Sequence, residues 1–114
     1  MATVSYRPLQ MAGLLKREIT MLMRSKINDA RLNCLSVTDV EVSKNCSHAR
    51  VYILIPSHED EKQMLKVVTA AGGFIRSHLS SKLALRFIPK LSFKIDNSYQ
   101  HGNRIEQILK EIHR

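Results

Sequence analysis

The chain has 114 residues, with 18 Lys or Arg against 10 Asp or Glu, a formal charge of +8 and a sequence pI near 9.9. That length implies one domain with a modest core. The longest apolar run, Val51–Ile55, is far too short for a membrane span, and the N-terminal MATVSYRPLQ has no apolar signal region, so a cytoplasmic protein is expected.

Leu9, Ala12, Leu15, Ile19, Leu22, Met23 and Ile27 recur at steps of three and four and predict an amphipathic helix over roughly 8–27, with Pro8 suited to its first turn. Residues 1–6 precede it and are expected to be flexible. Asn28-Asp29-Ala30-Arg31-Leu32-Asn33 reads as a polar connection. Two strands follow. Thr38, Val40 and Val42 alternate with Asp39, Glu41 and Ser43, and Ala49, Val51, Ile53 and Ile55 alternate with Arg50, Tyr52 and Leu54. Ser43–Ser47 between them has the length and composition of a hairpin loop. The second strand is apolar on both faces around Tyr52–Leu54, so it is expected to be central, and Pro56 ends it.

Ser57-His58-Glu59-Asp60 is a helix start, with Ser57 the expected cap and Glu59, Asp60 and Glu61 at the positive end of the dipole. The apolar stripe Met64, Leu65, Val68, Ala71, Ile75, Leu79, Leu83 runs unbroken past Gly72 and Gly73. Two glycines inside a helix cost roughly 2 kcal/mol relative to alanines. A stripe that keeps phase through them predicts a bend there, with the helix continuing to about Leu83. In the third strand Leu91, Phe93 and Ile95 point one way and Lys90, Ser92 and Lys94 the other. Ile105, Ile108, Leu109 and Ile112 predict a short C-terminal helix. Three strands with helices on one face make a two-layer α+β domain, whose other face carries Arg50, Lys90 and Lys94.

Three ordered stretches resemble one family. Ala71-Gly72-Gly73-Phe74-Ile75-Arg76 matches a helix–kink–helix with Ala-x-Gly at the kink followed by Phe-Ile/Val-Arg. Arg86-Phe87-Ile88-Pro89-Lys90-Leu91-Ser92-Phe93 matches a basic segment ending in Val/Ile-Pro-x-Leu-x-Phe. Asp96-Asn97-Ser98, Gly102 and Arg104-Ile105 match Asp-x-Ser, a gap with Gly, and Arg-Ile. Asp29-Ala30-Arg31-Leu32 is a weaker fourth match. Along nearly the whole chain the sequence resembles bacterial ribosome-binding factor A. Ala30 departs from the usual proline, which loosens that turn, and Gly72 takes a kink position often filled by serine or alanine. A polar tail found in many members has no counterpart here, so no role is carried over from it.

The resemblance implies one type II KH-like domain over 1–114, ordered α-β-β-α-kink-α-β plus a C-terminal helix, with a three-stranded sheet. It implies a monomeric cytoplasmic factor that binds the small (30S) ribosomal subunit and its 16S rRNA late in assembly, supports 5′-end rRNA processing, matters most in the cold, and is not an enzyme.

The candidate RNA-binding residues are Arg76, Lys82, Arg86, Lys90 and Lys94 around the kink and third strand, with Arg17, Arg24 and Arg31 as a second strip; the kink itself is Ala71, Gly72 and Gly73. Spaced cations usually make only a solvated face, but the overall charge favours phosphate contact. The Gly-x-x-Gly loop of a standard KH domain is absent. Gly72-Gly73 either offers amides to an anion or lets helix and sheet pack closely. Phe74, Phe87 and Phe93 lie on or beside apolar stripes and are expected in the core, so recognition by shape and phosphate is favoured over base stacking.

Cys34 and Cys46 are too isolated for a metal site, and no cofactor, metal or small-molecule substrate is expected. The five histidines are scattered and no nucleophile, Walker or H-E-x-x-H motif occurs. Two other readings compete with an RNA-binding module: an adaptor whose basic surface recruits an acidic protein, and a small enzyme acting on RNA.

Overall fold

The computed structural model of the chain describes residues 7–25, 30–83, 85 and 87–96. The N-terminal residues 1–6, the expected end of the first helix at 27, Arg86, and the predicted C-terminal helix with Ser98, Gly102, Arg104 and Ile105 lie outside the described residues.

Helix α1 spans Pro8–Ser25. Proline fits its first position because that N–H has no partner inside a helix, and Gln10 Oε1 accepts from the Arg7 N–H at 3.4 Å, half of a capping box. Met11, Leu15, Ile19, Leu22 and Met23 are buried. Leu9, counted in the predicted stripe, is instead 89% exposed in the first turn. The stretch read as a polar connection contains a short helix, α2 (Ala30–Asn33), whose Leu32 is buried.

Strands β1 (Ser36–Val42) and β2 (His48–Leu54) form an antiparallel hairpin, and β3 (Lys90–Ile95) pairs parallel to β2, in the order β1-β2-β3. β2 is therefore central, as expected. The loop Ser43–Ser47 is closed by its own side chains. Asn45 Oδ1 accepts from the Ser43 hydroxyl, the Ser47 N–H and the Ser47 hydroxyl, and Cys46 turns the chain with a φ of 57°. A bulge between Val37 and Asp39 leaves Thr38 as the extra residue of β1. Its hydroxyl donates to the Asp96 carboxylate, so the first and last strands are tied across the central one.

Helix α3 spans Glu61–Ala70 and helix α4 spans Gly72–Lys82. The expected cap at Ser57 is corrected: Asp60 caps α3, its carboxylate accepting from the Lys62 and Gln63 N–H groups at 3.0 and 3.2 Å. Ser57 cannot serve because Pro56–Glu59 is occupied by a turn, with Glu59 N–H donating to Pro56 C=O at 3.0 Å. The helix is interrupted at Ala71, the first residue of the expected kink, and not at the glycines themselves. Ala71 has φ −78° and ψ −7°, its N–H is shared between Val67 and Val68 carbonyls, and its own carbonyl accepts from Ile75. Neither glycine has a positive φ. Gly72 matters for space: a Cβ there would meet the Phe93 ring at 3.4 Å, whereas one at Gly73 would meet nothing within 4 Å. The close-packing reading thus applies to Gly72 alone.

Among the described residues α1 packs over β1 and α3 and α4 over β3 on one face of the sheet, α2 lies against α1 and α3, and the other face is left uncovered by any described element. The core between the layers joins Leu15, Ile19, Val51, Ile53, Val68, Ile75, Leu79 and Phe93. Each fully buried aliphatic side chain there contributes about 1.5–3 kcal/mol. The predicted stripe through the kink is the one that is buried, at Met64, Val68, Ile75 and Leu79.

Candidate nucleic-acid interface

The layering divides the predicted cations among separate surfaces. Alternation along β3 turns Leu91, Phe93 and Ile95 to the helices and Lys90, Ser92 and Lys94 to the uncovered face. Register places His48 beside Lys90, Arg50 beside Ser92 and Tyr52 beside Lys94. On the other side of β2, Glu41 lies beside Arg50 and Asp39 beside Tyr52. The uncovered face thus grades from acidic on β1 to basic on β3. Lys90 and Lys94 are exposed, and neither enters an ion pair among the described residues.

At the centre of that face Arg50 Nη1 donates to the Tyr52 hydroxyl at 3.3 Å and lies 3.7 Å from Glu41 Oε2. The Tyr52 hydroxyl holds the Arg50 guanidinium above its ordinary pKa, with Glu41 adding a smaller pull. An exposed pair of this kind contributes little stability; its effect is to aim the guanidinium along the sheet. Glu41, Ser43, His48, Arg50 and Ser92 line an open groove of about 360 Å³.

Arg76 lies on the helical layer. Its Nη2 donates to the Ile88 carbonyl at 3.2 Å, bracing the segment that leads into β3. Gly73, Arg76, Ser77 and Ser80, spaced along one face of α4, combine with Phe87 and Ile88 to form a groove of about 490 Å³. Lys82, grouped with Arg76 by sequence, turns instead to α1, where its Nζ is 3.1 Å from Glu18 Oε2. Arg17 and Arg24 are exposed on the outer face of α1, and Arg31 is exposed on α2. Arg86 lies outside the described residues.

The expectation for the aromatics is corrected in part. Phe93 is buried, but Phe74 is 54% and Phe87 73% exposed. Phe74 precedes Ile75 by one residue and so sits about 100° around the helix from the buried stripe. Ser77, Ser80, His48 and Ser92 line the two grooves and are not singled out by the sequence pattern. The helical spacing of Gly73, Arg76, Ser77 and Ser80, and the alternation that sets His48 on the face of Arg50 and Ser92 on the face of Lys90 and Lys94, are the signals that point to them.

Among the described residues, no three His, Cys, Asp or Glu side chains gather as a metal-ligand set. No helix among them is long and apolar enough to cross a membrane.

The family model described as ribosome-binding factor A matches residues 7–109. The chain belongs to the ribosome-binding factor A family. It is 38% identical to ribosome-binding factor A of Staphylococcus epidermidis over 88% of this chain and 87% of that protein. It is 36% identical to that of Desulforamulus reducens over 96% and 92%. Among solved structures it is similar to the crystal structure of ribosome-binding factor A from Thermus thermophilus, with TM-score 0.69, 26% identity, and coverage of 79% of this chain and 97% of that one. It is also similar to a homology model of the Thermus thermophilus factor fitted into a cryo-EM map of a 30S–RbfA complex, with TM-score 0.62, 26% identity, and coverage of 75% and 91%. The mixed α+β, KH-like fold with its three-stranded sheet agrees with these neighbours.

Proposed function

We propose that the chain is a ribosome-binding factor that docks on the small (30S) subunit through contacts of its basic surfaces with 16S rRNA. It acts late in assembly and supports processing of the rRNA 5′ end. It is a monomeric cytoplasmic protein without catalytic activity, needed most in the cold. The observation that carries this reading is the family match across residues 7–109 on a chain of charge +8. The exposed cations Arg76, Lys90 and Lys94 support it, since neutralised phosphates and released counterions supply most of the affinity of such surfaces.

The test is co-sedimentation of the purified protein with small subunits, large subunits and deproteinised rRNA at low and moderate salt. Selective retention on small subunits at moderate salt is expected. Equal binding to all three, lost as salt rises, would leave a generic basic RNA binder and overturn the proposal.

A further inference from the structure

The proposed function leaves open how the cations are shared among rRNA segments, and the fold presents them on two separate layers. Arg76 and its groove belong to the helical layer, while Lys90 and Lys94 stand on the uncovered side of the sheet. A single RNA strand lying against α4 does not account for the second set.

Three features of the uncovered face bear on what meets it. Lys90 and Lys94 are four residues apart on one strand and face the same way, hence roughly 13 Å apart at about 3.3 Å per residue. Two phosphates of one nucleic-acid backbone can be held at once over that distance. Both ammonium groups lack ion-pair partners among the described residues. Arg50 is already directed by Tyr52 and Glu41, so its guanidinium is fixed between the two lysines in register. The acidic residues gather on the opposite strand, Asp39 and Glu41 of β1. A polyanion is therefore drawn to the β3 side and repelled from the β1 side, which fixes where it lies.

We propose that the uncovered face of the sheet is a second RNA-contact surface, in which Lys90, Lys94 and Arg50 hold the phosphates of an rRNA segment different from the one met at the α4 edge. The protein is then clasped between two segments of folded rRNA and reads the distance between them. This rests on the small-subunit reading above. The ordinary role of lysines on an edge strand is to prevent edge-to-edge aggregation, and that role predicts no effect on RNA.

The test measures the affinity of the full chain for purified small subunits across a series of KCl concentrations, with hydroxyl-radical footprinting of the 16S rRNA. The variants are K90E/K94E, the milder K90Q/K94Q, and R76E; thermal unfolding checks that each is folded. Wild-type binding comes first, and its failure would sink the small-subunit reading rather than this inference. Given wild-type binding, K90E/K94E is expected to bind roughly tenfold or more weakly at moderate salt. The slope of log affinity against log salt should fall by about 1.4–1.8, two phosphate contacts' worth. The Lys90/Lys94 variants should lose protection of one rRNA segment and R76E of another. K90E/K94E affinity within twofold of wild type with the full footprint would overturn the inference. So would weakened binding with every rRNA protection retained, which would assign the face to an acidic ribosomal protein, or loss of the same segment in K90E/K94E and R76E.

Discussion

Replacing Lys82 by alanine separates a structural cation from an RNA-binding one. Its Nζ lies 3.1 Å from Glu18 Oε2, and the Glu18 side chain is only 12% exposed against 47% for Lys82. No hydrogen-bond donor among the described residues satisfies that oxygen, so the ammonium is what balances the carboxylate. At this separation the Coulomb attraction is about 5 kcal/mol for an effective dielectric of about 20. Desolvation and the ordering of the lysine side chain offset most of it. Exposed pairs retain at most about 1 kcal/mol, while removing one member of a fully buried pair costs about 3–5 kcal/mol. A half-buried pair falls between, so Lys82→Ala should lose about 1–2 kcal/mol. That is roughly 4–8 °C in Tm for a domain of this size. The assay is thermal unfolding by circular dichroism, alongside affinity for small subunits. Adding Glu18→Gln should recover much of the loss, because no unbalanced charge then remains. An unchanged Tm in Lys82→Ala together with weakened subunit binding would refute the tether and return Lys82 to the RNA-contact set.

Gly73→Ala should raise stability by about 0.5–1 kcal/mol, since the residue is helical and its added methyl meets open space, whereas Gly72→Ala should gain less because the methyl meets Phe93; a lower Tm for Gly73→Ala in the same melts would count against the described helix start. Asp60→Ala should cost about 1 kcal/mol by urea denaturation through loss of the two cap hydrogen bonds, while Ser57→Ala should change nothing measurable. Phe93→Ala should cost about 3–5 kcal/mol and Phe74→Ser less than about 0.5 kcal/mol, compared by urea melts; equal losses would contradict the observed burial.

Much of the layering was legible because burial leaves a periodic trace. The alternation of Leu91, Phe93 and Ile95 with Lys90, Ser92 and Lys94, and the stripe from Met64 to Leu83, each name one face without reference to any partner. What periodicity lacks is the identity of the neighbour. Phe74 and Phe87 sit next to stripe positions, and hydrophobicity alone does not say that they turn outward. Lys82 and Arg76 look alike in sequence, yet only Lys82 faces Glu18, because α4 crosses near α1. Ser57 and Asp60 are both good caps, and a turn at Pro56–Glu59, not propensity, decides between them. The bulge at Thr38 appears only in the register with β2, and the partner of its hydroxyl, Asp96, lies far away in the chain. The kink was legible as a conflict between stripe and glycines, but its place at Ala71 depends on which carbonyls receive the Ala71 N–H.

The parallel pairing of β3 with β2 has a kinetic consequence. The β1–β2 hairpin closes over a five-residue loop, Ser43–Ser47, so its own pairing is local. β3 reaches its place only after the whole excursion through α3 and α4 has been brought back, when the Lys90 and Asp96 N–H groups meet the Ser47 and Ile53 carbonyls. Contacts of such long sequence separation carry the greater loop-closure cost and belong to the later steps of folding. Lys90 and Lys94 come into register with Arg50 only at that stage. A chain that has collapsed but not yet docked its last strand therefore has its positive charge without the arrangement of that charge, and an anionic surface that grips the finished face draws the strand home and slows its departure.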